Sequence, residues 1–322
     1  MGAYSKTDHS SFYIFMGPLK TILRLFLKIL AALVILVISL ISIYLWINRT
    51  NGRIESSGQT RKYLLYVPDS YDPSTPTPLV ISLHGFIEWP AHLMNVSHWN
   101  DVADEYGFLV VYPSGTGLPL RWHTRNWPGS GMTPEEEVQF ISDLIDHLGN
   151  LYNIDPNRIY ANGFSNGAGM SYLLACQLSE RIAAMGGVAG AYHLPWDECQ
   201  TSRPMPIIAF HGTGDPIVPY EGGDPTRHTS TLPNLPAWIL EWAQRNECDP
   251  TPVELPTTGN VSGVQYVDPD AKGDVVFYSI EGGGHQWPGG EAVLEFIAGR
   301  PIQDIDATRV MWDFFRKYSL ED

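Results

Sequence analysis

"IYANGFSNGAGMSY", residues 159–172, decides the fold. An apolar run leads into Gly-x-Ser-x-Gly, and small helix-forming residues follow. This order predicts a buried strand, a sharp turn at Ser165 and then a helix. Such a turn needs small neighbours, which Gly163, Gly167 and Gly169 supply. It would hold the serine hydroxyl above the sheet, with the backbone N–H of Asn166 facing the same space at a helix N-terminus.

On either side the pattern repeats. "PLVISLHG" (78–85), "FLVVYP" (108–113), "MPIIAFHG" (205–212) and "DVVFYSIEG" (274–282) are short apolar runs with little alternation, as expected of strands buried on both faces. "KYLLYVP" (62–68) and "RIAAMGGVAG" (181–190) read as further strands. Helical spacing separates them in 99–107, 134–152, 237–246 and 306–318. In "PEEEVQFISDLIDHLGNLY", Val138, Ile141, Ile145 and Leu148 recur every three or four residues, with acids at the start. Alternating strands and helices predict an α/β domain with a mainly parallel sheet flanked by helices. With no second break and no internal repeat, 61–322 reads as one domain, and 48–60, "NRTNGRIESSGQT", as a polar linker.

The N-terminal segment is different. "ILAALVILVISLISIYLWI", 29–47, is uncharged and has only Ser39 and Ser42 as polar positions. That length fits a transmembrane helix. It ends without a small-residue cleavage pattern, which favours an uncleaved signal anchor over a cleaved signal. Lys20, Arg24 and Lys28 nearly balance Arg49, Arg53, Arg61 and Lys62, so flanking charge alone does not orient it. Arg61 and Lys62 read as part of the folded domain, which tips 1–28 towards a cytoplasmic tail and the body towards the outside. Should the segment be cleaved, the body would be secreted.

The net charge is −15. Lys6, Lys20, Arg24, Lys28 and Arg49 against Asp8 give residues 1–50 a charge of +4, which leaves −19 for the body. An acidic body excludes phosphate-rich nucleic acid as a partner, and a monomer is the default. Cys176, Cys199 and Cys248 show no zinc-type spacing. Cys176, in an apolar helical context, reads as a small hydrophobe, so Cys199–Cys248 is the expected disulfide in an oxidising compartment.

A serine nucleophile needs a base and a carboxylate that orients it. "FHGTGDPIVPY" (210–220) places Asp215 after one predicted strand, and "EGGGHQWPGG" (281–290) places His285 after another. Both lie at strand C-termini, where open α/β sheets build sites. In "LHGF" (83–86), the Phe86 N–H would join that of Asn166 as an oxyanion hole. His84 and His211, each at a strand end before Gly, read as loop supports. Trp122, Trp127 and Trp287 lie in predicted loops. Trp122 and Trp127 suit either a substrate wall or a loop pin, whereas Trp287, two residues from His285, is expected at the site rim.

Together "LHGF", "DEYGFLVVYP", "IDPNRIYANGFSNGAGMSYLLAC", "PIIAFHGTGDPIVPY" and "GGGHQWPG" resemble the poly(3-hydroxybutyrate) depolymerase and feruloyl esterase group of α/β-hydrolases, over most of residues 60–318. The resemblance implies a serine esterase with Ser165 as nucleophile, Asp215 as acid, His285 as base and Phe86 and Asn166 as oxyanion donors. It implies an ester substrate, a phenolic-sugar ester or hydroxyalkanoate oligomer, and neither metal nor organic cofactor. Export is the rule in the group. "EEEVQF" at 135–140 departs from its usual Asp-Asp-Val-type run. The rival readings are a peptidase on the same fold and a tethered binding module on an inactive one, against which stands the complete Ser, Asp and His set.

Overall fold

The computed structural model describes residues 2, 11–47, 49–125, 131–223, 232–292 and 295–321. It divides into two units, 1–48 and 49–322. Among its described residues the first holds one helix, α1 (Ser11–Ile47). Within it Thr21–Ser42 is long and apolar enough to cross a membrane, and its side chains are exposed.

The second unit is built on one ten-stranded sheet. In chain order the elements are β1 (Gly52–Ser56), β2 (Gln59–Tyr66), β3 (Thr77–Leu83), α2 (Pro90–Ser97), α3 (Trp99–Tyr106), β4 (Leu109–Pro113), α4 (Pro134–Leu151), β5 (Ile154–Phe164) and α5 (Asn166–Gln177). There follow β6 (Ala184–Val188), β7 (Ile207–Gly212), α6 (Leu235–Arg245), β8 (Val253–Thr258), β9 (Val261–Tyr266), β10 (Val275–Ile280), α7 (Glu295–Ala298) and α8 (Ala307–Phe315). The strand order is β1-β2-β4-β3-β5-β6-β7-β10-β9-β8. From β4 to β10 neighbours run parallel. Both ends are antiparallel ribbons.

The central strands are apolar on both faces because helices cover both. Val80, Val110 and Tyr112 pack with Trp99 of α3 and Met311 and Phe315 of α8. Their alternate neighbours Leu79, Ile81, Leu109 and Val111 pack with Phe140, Ile141 and Leu144 of α4 and Leu173 of α5. Further along that face α6 adds Trp238, Ile239 and Trp242. Helix α4 starts where "TPEEE" predicts. Thr133 Oγ1 accepts the Glu136 N–H and the Glu136 carboxylate accepts the Thr133 N–H, a reciprocal cap with Pro134 at the first turn.

Two expectations are corrected here. Residues 52–60 are not linker. They form β1 and the start of β2, joined by Ser57 and Gly58 at φ of +48° and +71°. A two-residue turn with both φ positive matches the twist of a hairpin. Of the expected strand at 62–68, residues 62–66 are the second half of β2, and 67–68 lie beyond its end. The hairpin β8–β9 was not foreseen, and its register shifts between Leu255 and Thr258.

Candidate active site

Ser165 sits between β5 and α5 at φ +55° and ψ −115°, nearly buried. A serine at positive φ costs on the order of 1–3 kcal/mol and persists only when its surroundings over-determine it. Here the Ser165 N–H donates to the Val188 carbonyl of β6 at 2.9 Å. Its own carbonyl accepts the N–H groups of Gly169 and Ala191, each at 3.1 Å. The flanking glycines allow the approach. A Cβ on Gly163 would lie 2.3 Å from Gly167 backbone, and one on Gly167 would lie 1.9 Å from the Leu83 carbonyl oxygen. The turn is therefore wedged against the end of β3.

Asp215 and His285 meet directly. His285 Nδ1 lies 2.7 Å from Asp215 Oδ2, both residues nearly buried. An ionised carboxylate only accepts, so Nδ1 carries the proton and Nε2 is left as the basic nitrogen. The other oxygen, Oδ1, accepts the N–H groups of Ile217 and Val218 at 2.8 and 2.9 Å. The His285 ring packs on Phe164, centroids 4.9 Å apart, and Phe164 is the residue before Ser165. That contact brings the pair to the turn that carries Ser165.

His84 and His211 support loops, as read from the sequence. The Gly115 N–H donates to His84 Nε2 at 2.9 Å, so His84 Nδ1–H donates to the Gly85 carbonyl at 2.8 Å. His211 Nε2–H donates to the Val218 carbonyl at 2.8 Å and lies 3.4 Å from Asp215 Oδ2. Burial pushes both imidazoles below the usual histidine range, so both are neutral near pH 7.

Asn166 contributes more than its backbone. Its N–H is the first of α5, where helix geometry leaves donors without intrahelical acceptors. Its side chain clamps the loop after β4. Oδ1 accepts the Trp122 N–H at 2.7 Å and Nδ2 donates to the Trp122 carbonyl at 3.1 Å. The same loop is held from below by a buried cluster. Glu137 Oε2 accepts from Arg61 at 2.7 Å, while Oε1 accepts from the His123 ring at 2.9 Å and the His123 N–H at 3.2 Å. Burial alone would raise the Glu137 carboxyl, but the His123 bonds and the Arg61 charge hold it below the ordinary value. This cluster was missed from sequence. The signal was there: Glu137 falls on the buried stripe of α4, three, four and seven residues before Phe140, Ile141 and Leu144.

The tryptophans and the disulfide need correction. Trp122 is 2 % exposed, donates from Nε1 to the His84 carbonyl at 3.0 Å and stacks over Phe140. It is a loop pin, not a substrate wall. Trp287 has no exposed surface and donates to Thr308 Oγ1 at 3.0 Å, so it belongs to the core beneath the site and not to the rim. Trp127 lies outside the described residues. The disulfide is Cys176–Cys199, not Cys199–Cys248. The end of α5 packs against the Trp196–Glu198 turn, with Tyr172 and Trp196 rings 5.6 Å apart, and this brings the two sulfurs together. Cys248 is a free thiol, pushed up to about 12 by burial and by Asp268 and Asp274.

Known proteins share this arrangement of chain. The family model "Esterase PHB depolymerase" matches residues 61–239, more than half of the sequence. Feruloyl esterase C of Emericella nidulans is 28% identical over 241 residues, 73% of this chain and 79% of that protein. The bifunctional acetylxylan esterase/xylanase XynS20E of Neocallimastix patriciarum is 34% identical over 172 residues, which is 53% of this chain but only 24% of that longer protein. Among solved structures, an acetyl xylan esterase from Aspergillus awamori superposes with a TM-score of 0.57 at 16% identity, covering 83% of this chain and 98% of that one. The chain belongs to the esterase PHB depolymerase family, carboxylic ester hydrolases built on the α/β-hydrolase fold.

Proposed function

We propose that this chain is a serine esterase that works through an acyl-enzyme, with Ser165 as nucleophile, His285 as base and Asp215 as the orienting acid. The observation that carries the reading is the buried Asp215–His285 bond of 2.7 Å, packed through Phe164 against the strained turn of Ser165. His285 Nε2 takes the hydroxyl proton as Ser165 Oγ bonds to the ester carbonyl carbon. The negative charge on the carbonyl oxygen is received by the N–H groups of Phe86 and Asn166. His285 then returns the proton to the departing alcohol. Water, deprotonated by the same nitrogen, releases the acid and restores Ser165.

For substrates, the names of the relatives favour feruloyl esters and acetylated xylan, and the family name favours hydroxyalkanoate oligomers. The apolar Thr21–Ser42 helix supports a membrane anchor. The Cys176–Cys199 disulfide supports a hydrolase unit outside the reducing cytoplasm.

The test sets the full chain in detergent against Ser165→Ala on p-nitrophenyl acetate, methyl ferulate and hydroxybutyrate oligomers, with fluorophosphonate labelling alongside. A loss of ~10³-fold or more with labelling abolished is expected. A folded Ser165→Ala protein that keeps its activity would remove Ser165 from the mechanism.

A further inference from the structure

The turn that carries the Phe86 N–H is held in an unusual way. Ile87 has φ +64°, a genuine outlier for a β-branched residue. Such backbone returns to the β or α region unless it is restrained. Side-chain packing does not restrain it, because Phe86 is 48% and Ile87 59% exposed. The restraint is by hydrogen bonds. The Ile87 N–H donates to the Leu120 carbonyl at 2.9 Å, and the Glu88 N–H to the Gly85 carbonyl at 3.3 Å. Across the mouth of the turn, Glu88 Oε2 accepts the Gly85 N–H at 2.8 Å. Glu88 is itself nearly buried, and its other oxygen faces His92 Nδ1 at 3.4 Å. A charged acceptor makes this the strongest bond of the set.

We propose that Glu88 is a positioning residue for the oxyanion hole, its carboxylate locking the strained Gly85–Glu88 turn so that the Phe86 N–H is aimed before substrate arrives. The proposal rests on the reading of Ser165 as nucleophile and Phe86 as oxyanion donor. Preorganised donors accelerate reaction because they need not reorient as charge develops. A donor that drifts by about 1 Å can cost on the order of 10²-fold. The ground-state carbonyl needs the donor far less, so the loss belongs in kcat and not in KM.

The experiment compares the full chain in detergent with Glu88→Leu, which keeps buried bulk without an acceptor, and Glu88→Gln, whose amide oxygen can take the same N–H. Glu88→Ala serves in place of the leucine variant should that one not fold. Steady-state kinetics on p-nitrophenyl acetate are paired with inhibition by an aryl trifluoromethyl ketone. Its Ser165 adduct places an oxyanion in the hole. Expected is a fall in kcat of about 10–100-fold for Glu88→Leu with KM within about twofold. Ketone affinity should drop in parallel with kcat/KM, and Glu88→Gln should recover to within about threefold of the wild type. Unchanged kcat and ketone affinity in a folded Glu88→Leu protein overturn the clamp, as does a loss that glutamine fails to recover or one confined to KM. Ser165→Ala separates the two ideas. If that variant remains active the nucleophile reading fails first, whereas if it is inert and Glu88→Leu is fully active, only the clamp is lost.

Discussion

Replacing Glu137 by glutamine tests whether the buried cluster behind the site stabilises the fold through its charge. Both partners of the Arg61–Glu137 pair are out of solvent, with side chains 2% and 0% exposed at 2.7 Å separation. Glutamine keeps the shape but offers one acceptor where the carboxylate offers two. Its NH2 must therefore face either Arg61 or the His123 donors. Removing one partner of a buried pair typically costs about 3–5 kcal/mol, most of it from the charge left behind. Arg61 would retain the Phe140 ring at 3.9 Å and the Ser114 carbonyl at 3.3 Å, so the lower end, about 3 kcal/mol, is expected. For a unit of this size that lowers Tm by roughly 6–12 °C. Guanidinium unfolding followed by tryptophan fluorescence reads the loss directly. An Arg61→Met, Glu137→Leu double variant, with no charge to bury, should recover much of it. A loss under about 1 kcal/mol for Glu137→Gln, or a double variant worse than the single one, would refute the electrostatic account.

Two further predictions concern pH and thiols. His84 and His211 are held neutral by burial, with folded values below the ordinary 6.5. The unfolded chain then takes up protons that the native state refuses, so stability should fall as pH drops from about 6.5 towards the folded values. Glu137 starts charged where the histidines start neutral, but the sign of its effect is the same. Its depressed value stabilises the fold fully above about 4.5 and less as pH falls through the folded value, so a second decline should follow the first. Melting temperature across pH 7 to 3 measures both, and a flat profile from 6.5 to 5 contradicts the histidine assignment. For the thiols, alkylation of the unreduced denatured chain should modify Cys248 alone. Loss of the Cys176–Cys199 link, with a sequence separation of 23, should lower stability by about 3 kcal/mol, whereas Cys248→Ala should change little. A label on Cys176 or Cys199 in the unreduced chain would rule out this pairing.

How much of this was legible depended on which physical signal each part carries. Strands β3, β4, β7 and β10 and the second half of β5 are covered by helices on both faces, so their sequences are largely apolar runs that can be read directly. The turn at Ser165 announces itself because only glycine fits at 163 and 167. Asp215 and His285 each follow a readable strand, and the structure joins them. The edges gave no such signal. "GRIES" and "VELPTT" are half or fully exposed, and a strand with one wet side can pass for a polar loop. Trp287 shows a different limit. Two residues from His285 along an irregular loop need not mean the same side of it, and here the indole turns into the core. The disulfide and the Arg61–Glu137–His123 cluster join residues far apart in sequence. Only the packing of α5 on the 196–199 turn, and of α4 under the loop after β4, brings them together. Glu88 was unreadable for a similar reason, since its role depends on a backbone angle at Ile87 that no residue type advertises.

The two rims of the sheet also decide how safely copies of this protein can share a crowded space. One rim, β1, is tied to α4 by the Ser56 hydroxyl on Asp143 at 2.6 Å. The other, β8, lies open, with nearly every residue exposed. A bare rim of hydrogen-bonding backbone invites a neighbouring chain to extend it without limit. Here Pro256 removes a donor from the middle of the strand, next to the register shift after Leu255, and Glu254 adds charge. An incoming strand would meet a missing rung, a kink and a repelling group within three consecutive residues. The outermost strand thus closes the sheet chemically where no helix closes it sterically.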